Sequence, residues 1–207
     1  MAMRTILFAL IFCASLPGCA QDRTDRPVGG GCEDCQLMFT GMPSSIESDV
    51  TITKPGEAGD PMVISGTIFK KDGKTPAPNV VLYVYHTDNT GEYTHGASEN
   101  ESTRHGRLRA WIKSDARGNY KFTTIRPASY PNSRNPQHIH PIIKEPGLQP
   151  YWIDEYLFED DPYVDAKVRA QQEGRGGKGI IRLTKNGEGV WTGKRDIVLG
   201  KNVEGYE

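Results

Sequence analysis

The sequence predicts an all-β fold, a β-sandwich of mostly antiparallel short strands with one short helix and long active-site loops. Three observations carry that prediction. The 207 residues include 23 Gly and 14 Pro, enough turn-formers to interrupt long helices. Short apolar runs recur between turn signals such as Asp72-Gly73 and Asn186-Gly187. One run, 79–85, is apolar on both faces: Val80, Leu82 and Val84 share one, Val81, Tyr83 and Tyr85 the other. A strand of that kind belongs in the middle of a sandwich.

In chain order the strands are expected at 62–69, 79–85, 108–114, 118–124, 138–143, 151–158, 179–183 and 195–199. The helix is expected after Asp161, whose side chain can cap it, with Pro162 in the first turn. Val168 and Gln172 continue it and Gly174 stops it. Between these elements, 86–106 is a polar connection long enough to be functional, and 127–137 is a second, proline-punctuated excursion. The glycine-rich loop 174–179 lacks the strand and Lys-Ser/Thr placement of a phosphate loop, and reads as a flexible lid.

Residues 1–18 are expected to be a signal peptide. Arg4 supplies its positive start, and 6–16 is an apolar run too short to span a bilayer. Leu16-Pro17-Gly18-Cys19 resembles a bacterial lipobox, so lipid attachment at Cys19 is expected, with ordinary cleavage after Ala20 as the alternative. Either route exports the protein, to the membrane-anchored periplasmic or cell-surface side in the first case. Residues 19–48 are expected to be a flexible tether and N-terminal extension, and 49–207 a single β domain. Within the extension Cys32 and Cys35 form a C-x-x-C pair without the βαβ context of a redox motif or the further ligands of a zinc site. In an oxidising compartment a local disulfide is expected.

Lys and Arg number 25 against 26 Asp and Glu, a formal net charge of −1. That excludes the basic excess expected of a nucleic-acid partner, and leaves a lipid on Cys19 as the expected contact with a membrane. Oligomeric state is not set by the sequence.

The most informative triplet is His138-Ile139-His140. In a strand, residues i and i+2 face the same side, so two imidazoles project together while Ile139 enters the core. A same-side His pair can take one metal ion, and three completions are open. A cupin-type site would add Glu145 and a later histidine, but no histidine follows His140. A two-His-one-carboxylate ferrous site would draw on Glu145, Asp154 or Glu155. The third is a ferric site with two tyrosinates.

The third completion has neighbouring motifs in its favour. The run Phe122-Thr123-Thr124-Ile125-Arg126-Pro127-Ala128-Ser129-Tyr130-Pro131, followed by His138-Ile139-His140, resembles the core of the intradiol ring-cleavage dioxygenases. Thr90-Gly91-Glu92-Tyr93 resembles the segment bearing that family's first tyrosine. Tyr156 to Pro162 and Arg195 to Leu199 resemble two of its strands, so the likeness runs in order over about 60–200. It implies Fe(III) held by Tyr93, Tyr130, His138 and His140, with Tyr130 and His138 axial. Tyr83 and Tyr85 lie in a core-like strand, where a ring normally packs. An arginine three residues before the first histidine belongs to the family pattern, but Asn135 stands there. Arg126 and Arg134 are the substitutes to stabilise a developing carbanion, and Ala128 replaces a turn glycine.

Charge arithmetic agrees with the resemblance. Ionising a tyrosine of pKa near 10 at pH 7 costs about 4 kcal/mol, so two cost about 8 kcal/mol. A trivalent cation can supply that, and two phenolates with one hydroxide neutralise it. The resemblance implies a small aromatic diol and O2 as substrates. Hydroxide and Tyr130 take the diol protons, oxygen attacks a ring carbon, and a cyclic anhydride opens to a muconate-type diacid.

Two rival readings remain. A non-catalytic exported binding module of carboxypeptidase-regulatory-like or transthyretin-like form would explain the strands but not the His pair. A family member that binds metal without turnover would explain both.

Overall fold

The computed structural model describes residues 25–94 and 104–207. The expected signal peptide, the lipobox with Cys19 and residues 95–103 of the long connection lie outside them. The architecture is a two-sheet β-sandwich. One sheet orders β1 (Asp49–Thr51), β5 (Asn119–Ile125), β2 (Pro61–Phe69), β11 (Trp191–Lys194) and β10 (Leu183–Lys185), with β12 (Ile197–Val198) also paired to β2. The other orders β4 (Arg109–Lys113), β3 (Val81–Tyr85), β6 (His138–Lys144), β8 (Tyr156–Phe158) and β9 (Ile180–Ile181), with β7 (Tyr151–Trp152) also paired to β6.

Period-two alternation builds both layers. Met62, Ile64 and Ile68 of β2 meet Tyr120 and Phe122 of β5, and pack on Leu82, Ile112, Ile139, Ile143 and Phe158 from the opposite sheet. Each such side chain contributes about 1.5–3 kcal/mol on burial. The second apolar face of β3 is covered as well. Val81 and Tyr83, with Ile142 of β6, pack against Cys35, Met38 and Ile46 of the N-terminal segment. Cys32 and Cys35 form a disulfide across a Cα separation of 5.6 Å and close the turn leading into that cover.

Several expectations are corrected by tertiary contacts. The run 151–158 breaks into β7 and β8, because Ile153 to Glu155 leave the ladder and Asp154 accepts the N–H groups of Gly174 and Arg175. The run 179–183 divides at Arg182, where the chain passes from one sheet to the other. Both β1 and β11 went unpredicted, since neither shows a clear apolar alternation.

The helix spans only Ala166–Ala170 and is capped by Asp165, which accepts the Val168 N–H at 2.9 Å. Asp161 instead accepts the N–H groups of Tyr163 and Gln137, and so pins the start of β6. The glycine loop 174–179 is no lid. Arg175, Gly176 and Gly177 are buried, and Gly176 and Lys201 share a backbone hydrogen bond. Nor is 25–31 a free tether: Val28 enters the main core and the Gly29 N–H donates to the Glu204 carbonyl at 2.7 Å.

Candidate metal centre

His138 and His140 leave β6 on the face turned away from the main core, while Ile139 between them is fully buried. Their Nε2 atoms are 3.0 Å apart. The Tyr130 hydroxyl lies 3.1 Å from His138 Nε2 and 3.4 Å from His140 Nε2, and the Tyr93 hydroxyl lies 2.8 Å from that of Tyr130. Residues from one strand and two loops thus bring four donor atoms together. Ligand atoms at about 2 Å from a shared ion stand about 2.8–3.3 Å from one another, the spacing of this cluster.

The tautomers follow from the other ring nitrogens. His138 Nδ1 is 2.7 Å from the Pro136 carbonyl, an acceptor, so Nδ1 carries the proton. His140 Nδ1 is 3.2 Å from Glu155 Oε1, again an acceptor. Both Nε2 atoms therefore present lone pairs to each other, and the Tyr130 hydroxyl has one proton for the two. A cation between them removes the repulsion. Burial pushes the His138 imidazole below its ordinary pKa, and the neighbouring His140 adds to the shift. Burial also pushes the Tyr93 and Tyr130 phenols upward. Without a cation both would stay protonated at neutral pH.

Two loops zip together to deliver the tyrosines. The Ala128 N–H donates to the Asp88 carbonyl at 3.0 Å and the Thr87 hydroxyl donates to the Ala128 carbonyl at 2.7 Å. Ala128 is not among the residues with left-handed backbone, so a methyl group is accommodated where the family pattern has glycine. Gly91 does need its freedom: its φ is +86°, and a Cβ there would lie 2.1 Å from the Ser129 carbonyl oxygen. His86 fastens the end of β3 to the end of β5. Its Nδ1–H donates to the Thr87 carbonyl and its Nε2 accepts from the Thr124 hydroxyl, both at 2.7 Å, and burial pushes its pKa down to about 4.

Asp88 organises the Tyr93 loop. Its carboxylate accepts the N–H groups of Thr90 and Glu92 and the hydroxyls of Thr90 and Thr94. Burial alone would raise its pKa, but these hydrogen bonds hold it down to about 2. A depressed carboxylate contributes stability above its unfolded pKa and loses it as pH falls through the folded value. Asp88→Ala is expected to cost about 1–2 kcal/mol near neutrality. Denaturant unfolding of both proteins from pH 7 to pH 2 should show that difference shrinking below about pH 4. A difference that stays constant to pH 2 would contradict the account.

Among the carboxylates considered beside the His pair, only Glu155 reaches it. Glu145 accepts the Tyr151 and Tyr206 hydroxyls elsewhere, and Asp154 holds the glycine loop. Glu155, His138 and His140 can each offer a ligand atom within 4.8 Å of one another. Because Glu155 meets the Nδ1 of His140, it fixes the ring with Nε2 aimed at Tyr130. Burial would raise its pKa, but the hydrogen bond from His140 holds it below the ordinary carboxylate range.

Tyr83 and Tyr85 do not join the four donors. The Tyr83 hydroxyl lies 3.0 Å from His105 Nδ1, and Tyr85 stacks between His105 and His140 at centroid distances of 3.7 and 4.6 Å. Arg126 and Arg134 are also placed elsewhere. The Arg126 guanidinium makes a bidentate pair with Asp160 at 2.8 and 3.0 Å, donates to Gln137, and lies over Phe158 and Trp191. Arg134 lies over the Tyr163 ring. A cavity of about 390 Å³ is lined by Tyr130, Asn135, His138, His140 and Glu155, and no Arg or Lys lines it among the described residues.

Comparisons with known proteins point to one family and one fold. A sequence-family model described as Dioxygenase matches residues 38–175. Catechol 1,2-dioxygenase 2 of Acinetobacter lwoffii is 27% identical over 144 residues, covering 62% of this chain and 50% of that protein. The protocatechuate 3,4-dioxygenase beta chain of Burkholderia cepacia is 30% identical over 129 residues, covering 58% of this chain and 54% of that protein. The chain thus spans about half the length of the curated relatives it matches.

Two solved structures share the fold. One is the dioxygenase domain of a dioxygenase and carbohydrate-binding protein fusion from Streptomyces sp. SirexAA-E, with TM-score 0.58 and 19% identity over 76% of this chain and 91% of that one. The other is catechol 1,2-dioxygenase from Acinetobacter sp. ADP1, with TM-score 0.57 and 21% identity over 76% and 59% of the two chains.

Proposed function

The chain belongs to the intradiol ring-cleavage dioxygenase family, and on that premise we propose that it is an Fe(III)-dependent enzyme. Its reaction is insertion of both atoms of O2 into a catechol-type diol, with ring opening between the hydroxyl-bearing carbons to a muconate-type diacid. The observation that carries this reading is the pair of proton-free imidazole nitrogens 3.0 Å apart, with two phenol oxygens beside them. Hard, anionic phenolate oxygens with two imidazoles suit a trivalent iron. When bound, the iron acts as a Lewis acid and template for the diol.

The chain's own residues divide the remaining work. Tyr93, Tyr130, His138 and His140 hold the ion. Tyr130, beside the cavity, is the internal base that accepts a diol proton on its phenolate oxygen. Glu155 and the Pro136 carbonyl hold the two rings in the tautomer that leaves Nε2 free. The export reading belongs with the same proposal: a lipid on Cys19 would tether the domain outside the cytoplasm, where the Cys32–Cys35 disulfide persists.

Purified protein loaded with ferric iron is expected to be red-brown from phenolate-to-iron charge transfer, and Tyr130→Phe is expected to shift that band. With catechol and oxygen the product should absorb in the ultraviolet as a muconate. A colourless protein without iron after loading would end the proposal. A yellow semialdehyde product would move the protein to another ring-cleaving chemistry.

A further inference from the structure

The walls beside the four donors carry a charge that the reaction itself does not need. A cavity of about 310 Å³ adjoins His140 and is lined by Gly31, Cys32, Glu33, Tyr85, Trp152 and Glu155, among others. It shares His140 and Glu155 with the cavity that touches Tyr130 and His138. A ring substituent that reached from the donors past Glu155 would enter this cavity and approach Glu33 on the disulfide turn.

Among the described residues, every charged side chain lining these two cavities, apart from the histidines, is a carboxylate. Among the described residues none of the nearby guanidinium groups lines either cavity: Arg109, the partner of Tyr85 on β4, lies over the Trp111 ring. Arg104 pairs with Asp34. Arg175 stacks on Trp152 at 3.5 Å, donates to the Trp152 and Gly29 carbonyls, and lines neither cavity. Arg126 is held by Asp160. Glu155 gives one oxygen to His140, and Glu33 is exposed at the rim. Walls with two carboxylates and, among the described residues, no Lys or Arg suit a flat ring with a positive substituent and repel a negative one.

We propose that Glu33 and Glu155 select catechols bearing an ammonium-terminated side chain over catechols bearing a carboxylate. The proposal rests on the catechol reading above and names the class of diol. It also gives the N-terminal extension a part in recognition, because Glu33 is supplied by the turn that the Cys32–Cys35 disulfide closes.

The test is a calorimetric titration of full-length, iron-loaded protein without oxygen, using catechol, an aminoethyl-substituted catechol and a carboxyl-substituted catechol. Ring cleavage of the same three is followed separately in air. At low ionic strength the amine is expected to bind about tenfold or more tighter than the acid, with catechol between them. Glu33→Lys is expected to reduce the amine-to-acid ratio about tenfold, and Glu33→Gln about threefold. Added salt should narrow the wild-type ratio in the same sense.

Equal or tighter binding of the acid to the wild-type protein overturns the proposal. So does a ratio that Glu33→Lys leaves unmoved, or failure of all three diols to bind. The predicted binding ratio with no cleavage of any diol would support the charge selection and overturn the catalytic reading. Cleavage of catechol with preference for the acid would do the reverse.

Discussion

His138→Ala is expected to weaken iron binding more than about 100-fold and to remove the visible absorption with it. Loss of an outer partner of a metal-bound histidine already costs about 10–100-fold, and His138 would be a direct donor. The substitution also leaves the Pro136 carbonyl without its imidazole partner at a site only 7% exposed, so a stability loss of about 1–3 kcal/mol should accompany it. Elemental analysis after ferric loading, paired with thermal unfolding, separates the two effects. A folded variant that keeps wild-type iron and colour would remove His138 from the site. Glu155→Gln, which keeps the shape but weakens the hold on His140 Nδ1, should fall between that variant and the wild type.

Gly91→Ala is expected to disable the site without touching a donor atom. The residue sits at φ +86°, and its new Cβ would approach the Ser129 carbonyl oxygen to 2.1 Å. A backbone atom cannot swing away, so the loop carrying Tyr93 must move off the turn carrying Tyr130. A shift of about 1 Å at a reacting site costs about 100-fold in turnover. The strain should also lower stability by about 1–3 kcal/mol. The charge-transfer band should change shape as one phenolate moves away, while the two histidines still retain iron. Gly187→Ala, where nothing lies within 4 Å of the added carbon, is the matched control. Unchanged turnover and spectrum in Gly91→Ala would mean that the contact between the loops does not position Tyr93.

Much of the sandwich was legible because strand alternation is a local property. The strands β2 to β6 lie close to where alternation and turn signals place them, and the two-faced apolar character of β3 reflects real cover on both sides. Strands β1 and β11 were not legible, since Asp49 to Thr51 and Trp191 to Lys194 are extended by what they pair with. The helix cap was misread because Asp161 and Asp165 are equally good caps in sequence. Only the proximity of Gln137 and Tyr163 commits Asp161 elsewhere.

The site divides along the same line. Projection of His138 and His140 to one side, with Ile139 buried between them, follows from the pleat of a single strand and was determined by the sequence alone. Tyr93 and Tyr130 were named through resemblance, not spacing. Asp88, Gly91 and the orienting role of Glu155 left no local signal. Only the tertiary structure decided that the Tyr130 oxygen meets both Nε2 atoms and the Tyr93 oxygen meets that of Tyr130, that Arg126 faces Asp160, and that carboxylates line the adjoining cavity. The physical reason is that a side chain's direction along one strand is set by neighbouring peptide units. The distance between atoms on different loops is set by how two sheets and their connections pack.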